Sequence, residues 1–167
     1  MKIPDLLKEN LKVVFCGTAA GNRSAQQEAY YAGCGNKFYC VLHHAGFTPV
    51  QLIPSQYEQL IDYGIGLTDL VKQKSGMDKD LKQEDYNISD FNEKIEKYKP
   101  QFVCFNGKEA AKKYFGVEKI DYGLQNECLG ETKFFVAPST SAKAHSYWNE
   151  EYWKKLNTLT NGKTHRT

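Results

Sequence analysis

Gly17-Thr18-Ala19-Ala20-Gly21 offers backbone N–H groups with little side-chain bulk around them, so a ligand can approach the main chain closely there. Tyr31, the second of a tyrosine pair, adds a ring suited to stacking on a flat partner. Asn36 carries an amide that donates and accepts at once, and Asp69 a carboxylate that can polarise water or stabilise positive charge beside it. Lys108 follows Asn106-Gly107. Ser139, Ser141 and Lys143 crowd into Pro138-Ser139-Thr140-Ser141-Ala142-Lys143, a run of small and polar groups after an apolar stretch. Together these residues describe a cradle for a flat, partly anionic group. Each has an ordinary reading too: tight turn, packed tyrosine, helix cap for Asn36, solvated strand end for Asp69, lone surface lysine for Lys108.

For the cradle to exist, the surrounding elements must bring these stretches to one place. Lys12–Cys16 is an apolar, β-branched and aromatic run that reads as a buried strand, broken at Gly17. Asn36–Ala45 places Phe38, Val41, Leu42 and Ala45 on one helical stripe, stopped by Gly46. A second helix is expected from Ser55 to Gly64, then a short extended segment ending in Thr68-Asp69. Lys72–Asn87 is charged and lacks periodicity, which predicts a surface loop. Ile88, Phe91, Ile95 and Tyr98 recur at helical spacing, with Ser89 as the expected cap and Pro100 as the exit.

Phe102–Phe105 and Phe134–Val136 are further buried-strand runs, and Glu109–Tyr114 a helix between them. Gly116–Gly130 is expected to be irregular. Trp148, Tyr152, Leu156 and Leu159 line a final amphipathic helix, and the polar tail from 161 to 167 is expected to be flexible. Helices alternating with continuously apolar strands predict an α/β fold: a three-layer α/β/α sandwich around a short central parallel sheet. In such sheets ligands bind beyond the carboxyl ends of the strands, which is where the reactive stretches fall.

The 167 residues suit a single domain spanning 1–167, and a formal charge of +2 announces no nucleic-acid partner by itself. Any such contact must come from a local basic face. Five cysteines, odd in number and without a C-x-x-C pair, argue against a metal cluster or zinc site, and two of them fall in apolar strand-like runs where buried free thiols are expected. No secretory signal or membrane-length apolar run is evident, so a reduced, cytoplasmic location is expected.

The order of these motifs resembles the mismatch-specific uracil/thymine-DNA glycosylases of the uracil-DNA glycosylase superfamily. G-T-A-A-G after V-V-F-C stands where that family has G-I-N-P-G, and the spacing to Tyr31 and N-K-F-Y is similar to the family's run from stacking aromatic to N-[RH]-F-W. G-I-G-L-T-D-L-V is similar to G-x-G-x-T-x-x-V, F-N-G-K to the form in thymine-DNA glycosylases, and P-S-T-S-A-K to P-S-S-S-A-R. The resemblance implies a monomeric DNA-repair enzyme without metal or cofactor. Its partner would be double-stranded DNA with a damaged or mismatched base, and it would be nucleoid-associated in a prokaryote.

What the resemblance implies for single residues follows the motifs. Gly17, Thr18, Ala19, Ala20 and Tyr31 would bind an everted base, and Lys108, Ser139, Ser141 and Lys143 would hold the strand, with Lys143 as the wedge. The chain departs from the family at Ala19, where the family's water-holding asparagine falls, because a methyl group cannot hydrogen-bond water. Asn36 and Asp69 are then the candidates for catalysis; hypoxanthine-DNA glycosylases also lack that asparagine and carry one at the N-[RKA]-F helix start. Uracil is the expected base, with thymine opposite guanine or hypoxanthine as others, and no lysine is evident for Schiff-base chemistry. Two rivals remain: a non-catalytic binder of damaged bases, and a nucleotide-phosphate enzyme, though G-T-A-A-G-N-R lacks the Gly-Lys-Ser/Thr ending of a P-loop.

Overall fold

The computed structural model of the chain describes residues 3–19, 22–71, 87–143 and 148–162. Of the expected loop at 72–87 only Asn87 is described, and of the tail expected at 161–167 only 161–162, which continue the last helix instead of fraying; the rest of both lies outside the described residues. Strands β1 (Val13–Gly17), β2 (Ile65–Asp69), β3 (Phe102–Asn106), β4 (Gly123–Leu129) and β5 (Thr132–Ala137) form one sheet in the order β2-β1-β3-β5-β4. β1 runs parallel to β2 and β3, and β3 parallel to β5. The carboxyl ends of these four strands therefore share one edge.

β4 is the departure. It pairs antiparallel with β5 inside the segment expected to be irregular. An edge strand needs no apolar run: most of β4 is solvent-facing, so its sequence alternates weakly. The signal that was present is the two-residue Gly130-Glu131 turn, with Gly130 at φ 60°, which suits a tight hairpin.

Because neighbouring strand residues face opposite ways, the sheet feeds two cores. Val13 and Phe15 of β1, Ile65 and Leu67 of β2, Phe102 and Cys104 of β3 and Phe135 of β5 pack on one side. There they meet helix α2 (Phe38–His44), a 3-10 helix (Pro54–Tyr63) and helix α5 (Glu150–Gly162). Cys16, Val103, Phe105, Phe134 and Val136 pack on the other, against α3 (Ile88–Tyr98) and α4 (Lys108–Phe115). A short helix, α1 (Asn22–Gln27), follows the glycine loop. The result is the expected three-layer sandwich.

Local chemistry sets the helix ends. Asn87, not Ser89, caps α3: its Oδ1 accepts from the Asp90 N–H at 3.0 Å. The helix expected from Ser55 is 3-10 in character, opened by Pro54 and closed at Gly64 with φ 79°. The N-terminal segment covers the outer edge of β2, Leu6 and Leu67 exchanging backbone hydrogen bonds at 2.9 Å. Gly66 allows that approach, since a Cβ there would lie 2.7 Å from both Leu11 Cδ1 and the Leu6 carbonyl oxygen.

Three tyrosines give the fold a marked alkaline limit. Tyr39 Oη donates to the Tyr30 carbonyl at 2.6 Å, and Tyr30 Oη to the Pro4 carbonyl at 3.1 Å. Burial pushes the phenols of Tyr30, Tyr31 and Tyr39 well above their ordinary range. The unfolded chain releases these protons near pH 10 and the folded chain keeps them, so stability is full below about pH 10 and falls as pH rises beyond it. The slope reaches roughly 1.4 kcal/mol per pH unit for each tyrosine, about 4 for the three. Absorbance at 295 nm should therefore show these phenols ionising only together with loss of the far-ultraviolet circular dichroism signal. Non-cooperative ionisation near pH 10 of all eleven tyrosines would contradict the burial.

Candidate active site

The site is built at the carboxyl ends of β1, β2, β3 and β5. Gly17 and Asp69 stand opposite each other as the last register pair of β1 and β2. The pairing continues past the strands: the Leu70 N–H donates to the Gly17 carbonyl at 2.9 Å and the Val71 N–H to the Thr18 carbonyl at 2.7 Å. Asp69 is buried at 5 % exposure, so its carboxylate faces the interior of the site rather than bulk water. A Cβ added to Gly17 would lie 3.2 Å from Asp69 Oδ1 and 3.7 Å from Tyr31 Oη. Gly17 is thus a bare floor between a carboxylate and a phenol.

Tyr31 reaches that floor through an unusual backbone. Its φ of 56° is left-handed, a conformation that costs a side-chain-bearing residue about 1–3 kcal/mol and persists only where the surroundings impose it. The ring rests on Phe38 with centroids 4.0 Å apart and planes tilted by 32°, and it remains partly exposed. Its hydroxyl is sealed from solvent and finds no hydrogen-bond partner among the described residues. Burial first, then the nearby Asp69 charge, keeps this phenol protonated far above its usual range; the polar side chain of Asn106, near Oη but outside hydrogen-bond geometry, opposes the shift. Tyr31 is a neutral donor at any physiological pH.

The remaining stretches are tied to the same edge by a latch. Asn106 Nδ2 donates to Thr140 Oγ1 at 2.9 Å, and the Thr140 N–H donates back to Asn106 Oδ1 at 2.9 Å. Thr140 is fully buried, and its carbonyl accepts from the Lys37 N–H at 2.9 Å. Gly107, at φ 101°, lets the start of α4 meet the loop after β5: a Cβ there would lie 3.0 Å from Ser139 Cβ. Ser139 Oγ accepts from the Ser141 N–H at 3.1 Å and Ser141 Oγ from the Lys143 N–H at 3.3 Å, so both hydroxyls shape the loop. Lys143 is exposed at its tip. Lys108 lies with Nζ 4.4 Å above the Tyr122 ring, a cation–π contact that holds the amine beside the start of α4.

Asn36 forms a turn just ahead of the helix and not the helix cap of its ordinary reading: the N-cap position is Lys37, which makes no side-chain capping hydrogen bond. Its Oδ1 accepts from the Phe38 N–H at 3.0 Å, and the α-helix starts at Phe38 rather than at Asn36 because Asn36 serves as this preceding turn. Turn and chemistry can be separated by substitution. Asn36→Asp should keep the turn hydrogen bond to the Phe38 N–H, whereas Asn36→Ala should cost about 1 kcal/mol in thermal or urea unfolding. If the amide also serves the reaction, Asn36→Asp will be as stable as wild type and slower; equal rates would leave Asn36 with the turn alone.

The structure therefore brings Gly17, Asp69 and Tyr31 into one cluster, with Asn36, Lys108, Ser139, Ser141 and Lys143 along the adjoining rim. Thr18 follows Gly17 at the end of β1, and Ala19 packs its methyl against the second core, on the face of the sheet that carries α3 and α4. Ala20 lies outside the described residues. The Asn106–Thr140 latch was not anticipated, although a polar residue closing an apolar strand before glycine was a usable signal. The inward hydroxyl of Tyr31 could not have been read, since it depends on a left-handed turn at a residue type that rarely adopts one.

Among the described residues no helix is long and apolar enough to cross a membrane, and no group of three or more His, Cys, Asp or Glu is placed to hold a metal. A solution NMR structure of a protein from Methanosarcina acetivorans, which carries a provisional designation as a uracil DNA glycosylase, is similar in fold. Its TM-score is 0.66 at 22% sequence identity, over 96% of this chain and 97% of that one. A family model described as the uracil DNA glycosylase superfamily matches residues 4–159, nearly the whole chain and every strand end described above. On that match, this chain belongs to the uracil DNA glycosylase superfamily.

Proposed function

We propose that the protein is a monofunctional DNA glycosylase of the mismatch-specific kind, hydrolysing the N-glycosidic bond of a base everted from duplex DNA. Uracil is the first substrate, with thymine opposite guanine and hypoxanthine as further ones. The observation that carries this reading is the meeting of Gly17, Asp69 and Tyr31 at one point on the strand ends. The designation of the Methanosarcina acetivorans protein points the same way.

The chemistry follows from the transition state. As the base leaves, the sugar becomes oxocarbenium-like while negative charge grows on the base. Asp69 stabilises the positive sugar and polarises water, and the backbone N–H groups after Gly17 meet the base carbonyl. Tyr31 stacks on the base, a contact worth about 1–3 kcal/mol in comparable sites. Lys143 fills the gap in the duplex, its stem in the stack and its ammonium near phosphate, while Ser139, Ser141 and Lys108 hold flanking phosphates. A second reading, a damaged-base binder without turnover, is favoured by one observation. Ala19 holds no water, and its methyl is spent on packing.

Incubation with duplexes carrying uracil, a G:T mismatch or hypoxanthine separates the two. Strand scission after alkali marks an enzyme; a gel shift without scission marks a binder; neither would end both readings.

A further inference from the structure

The Tyr31 hydroxyl is the most anomalous polar group among the described residues. It is sealed from solvent and partnerless, it belongs to a residue held in left-handed backbone, and it points at the bare Cα of Gly17 opposite Asp69. A stacking role asks nothing of this hydroxyl. Stacking uses the face of the ring, and a phenylalanine would do it without leaving a buried donor unsatisfied. The cost of the hydroxyl therefore calls for a use in the bound state.

We propose that Tyr31 Oη and the Asp69 carboxylate together hold the attacking water. One asparagine amide can give water both a donor and an acceptor; Ala19 can give neither. Across Gly17 the two functions are divided, the phenol supplying the donor and the carboxylate the acceptor. This inference rests on the glycosylase reading above. The floor left bare by Gly17 is the place where water enters as the everted base opens the site. Tyr31 Oη donates to the water oxygen and sets its direction, and Asp69 accepts one of its protons.

The water oxygen then bonds to C1′, and the C1′–N bond breaks with its electron pair leaving on the base nitrogen. The water proton passes to Asp69 and from there to the departing base, so Asp69 ends as it began. Tyr31 keeps its own proton throughout. It is a positioning group for the water, and Asp69 is the base.

Tyr31→Phe tests the assignment, because it keeps the ring, the stacking face and the packing on Phe38 while removing only the hydroxyl. Single-turnover release of uracil from a duplex should fall about tenfold to a hundredfold, with binding of a duplex bearing a cleavage-resistant 2′-fluorinated deoxyuridine unchanged within about twofold. The Tyr31→Phe/Asp69→Asn double variant should be no more than about twofold slower than Asp69→Asn alone, since both groups act through one water. A readout independent of activity accompanies these. Removing a buried, unpaired hydroxyl should raise the melting temperature by about 2–6 °C.

A Tyr31→Phe rate within about twofold of wild type, or additive losses in the double variant, would overturn the proposal. So would a lowered melting temperature, which would show that the hydroxyl already has a partner in the free protein. Wild-type protein inert on uracil, G:T and hypoxanthine duplexes alike would instead remove the glycosylase reading, and this step with it.

Discussion

Asp69→Asn is expected to slow base release by about 100- to 1000-fold while binding of a uracil-containing duplex holds or tightens. The substitution is nearly isosteric, so it keeps the register with Gly17 and the fit beside Tyr31, and changes only charge and proton affinity. An amide cannot take the proton of water, and it offers a developing oxocarbenium ion a dipole in place of a full charge. Losing a negative charge at the edge proposed to meet DNA can only favour phosphate. An aspartate serving merely as a polar strand end would give the opposite pattern: unchanged turnover, with any loss confined to stability. Single-turnover rates above saturating enzyme, with binding measured separately, distinguish the two.

Trp153→Ala should be the most destabilising single change, by about 3–5 kcal/mol, lowering the melting temperature by roughly 10 °C or more. Trp153 is completely buried, its ring lies stacked on Phe15 of β1 at 5.4 Å, and it meets the edge of Phe38 at 6.1 Å. Its Nε1 also donates to the Pro138 carbonyl at 3.1 Å, which anchors the start of the Ser139–Lys143 loop. Truncation opens a cavity under the sheet and frees that loop at once. Trp153→Phe isolates the second effect: it refills most of the volume but loses the hydrogen bond, so duplex binding should weaken more than stability falls. Urea unfolding of both variants, beside duplex affinity, checks this; a Trp153→Ala midpoint near wild type would refute the packing account.

Much of this architecture was legible because apolar strands and polar strand ends are local features. Val13–Cys16, Phe102–Phe105 and Phe134–Val136 are buried on both faces, so each carries an unbroken apolar run that stands out in one dimension. β4 did not stand out, since an edge strand with one wet face has no such run and is held by its partner β5. Trp153 was overshadowed by Trp148 on the expected stripe, yet it is Trp153 that reaches the core, while Trp148 is partly exposed with Lys37 5.5 Å above its ring.

The site divided in the same way. That Gly17, Asp69 and the Ser139–Lys143 loop lie on one edge follows from strand direction, which periodicity and connection order can suggest. That Tyr31 turns its hydroxyl inward, or that Asn106 clasps Thr140, depends on dihedrals and long-range contacts with no local signature. Asn36 illustrates a third case, in which a cap was the ordinary expectation and the side chain instead closes a turn one residue before the cap position, Lys37.

One measurement bears most directly on the chain's activity: free base released from a uracil-containing duplex, detected by mass spectrometry under single-turnover conditions at neutral pH. The account predicts one free uracil per duplex and an intact strand that breaks only on later treatment with alkali. Duplex bound at saturation with no free uracil, and none from the G:T or hypoxanthine duplex, would contradict it.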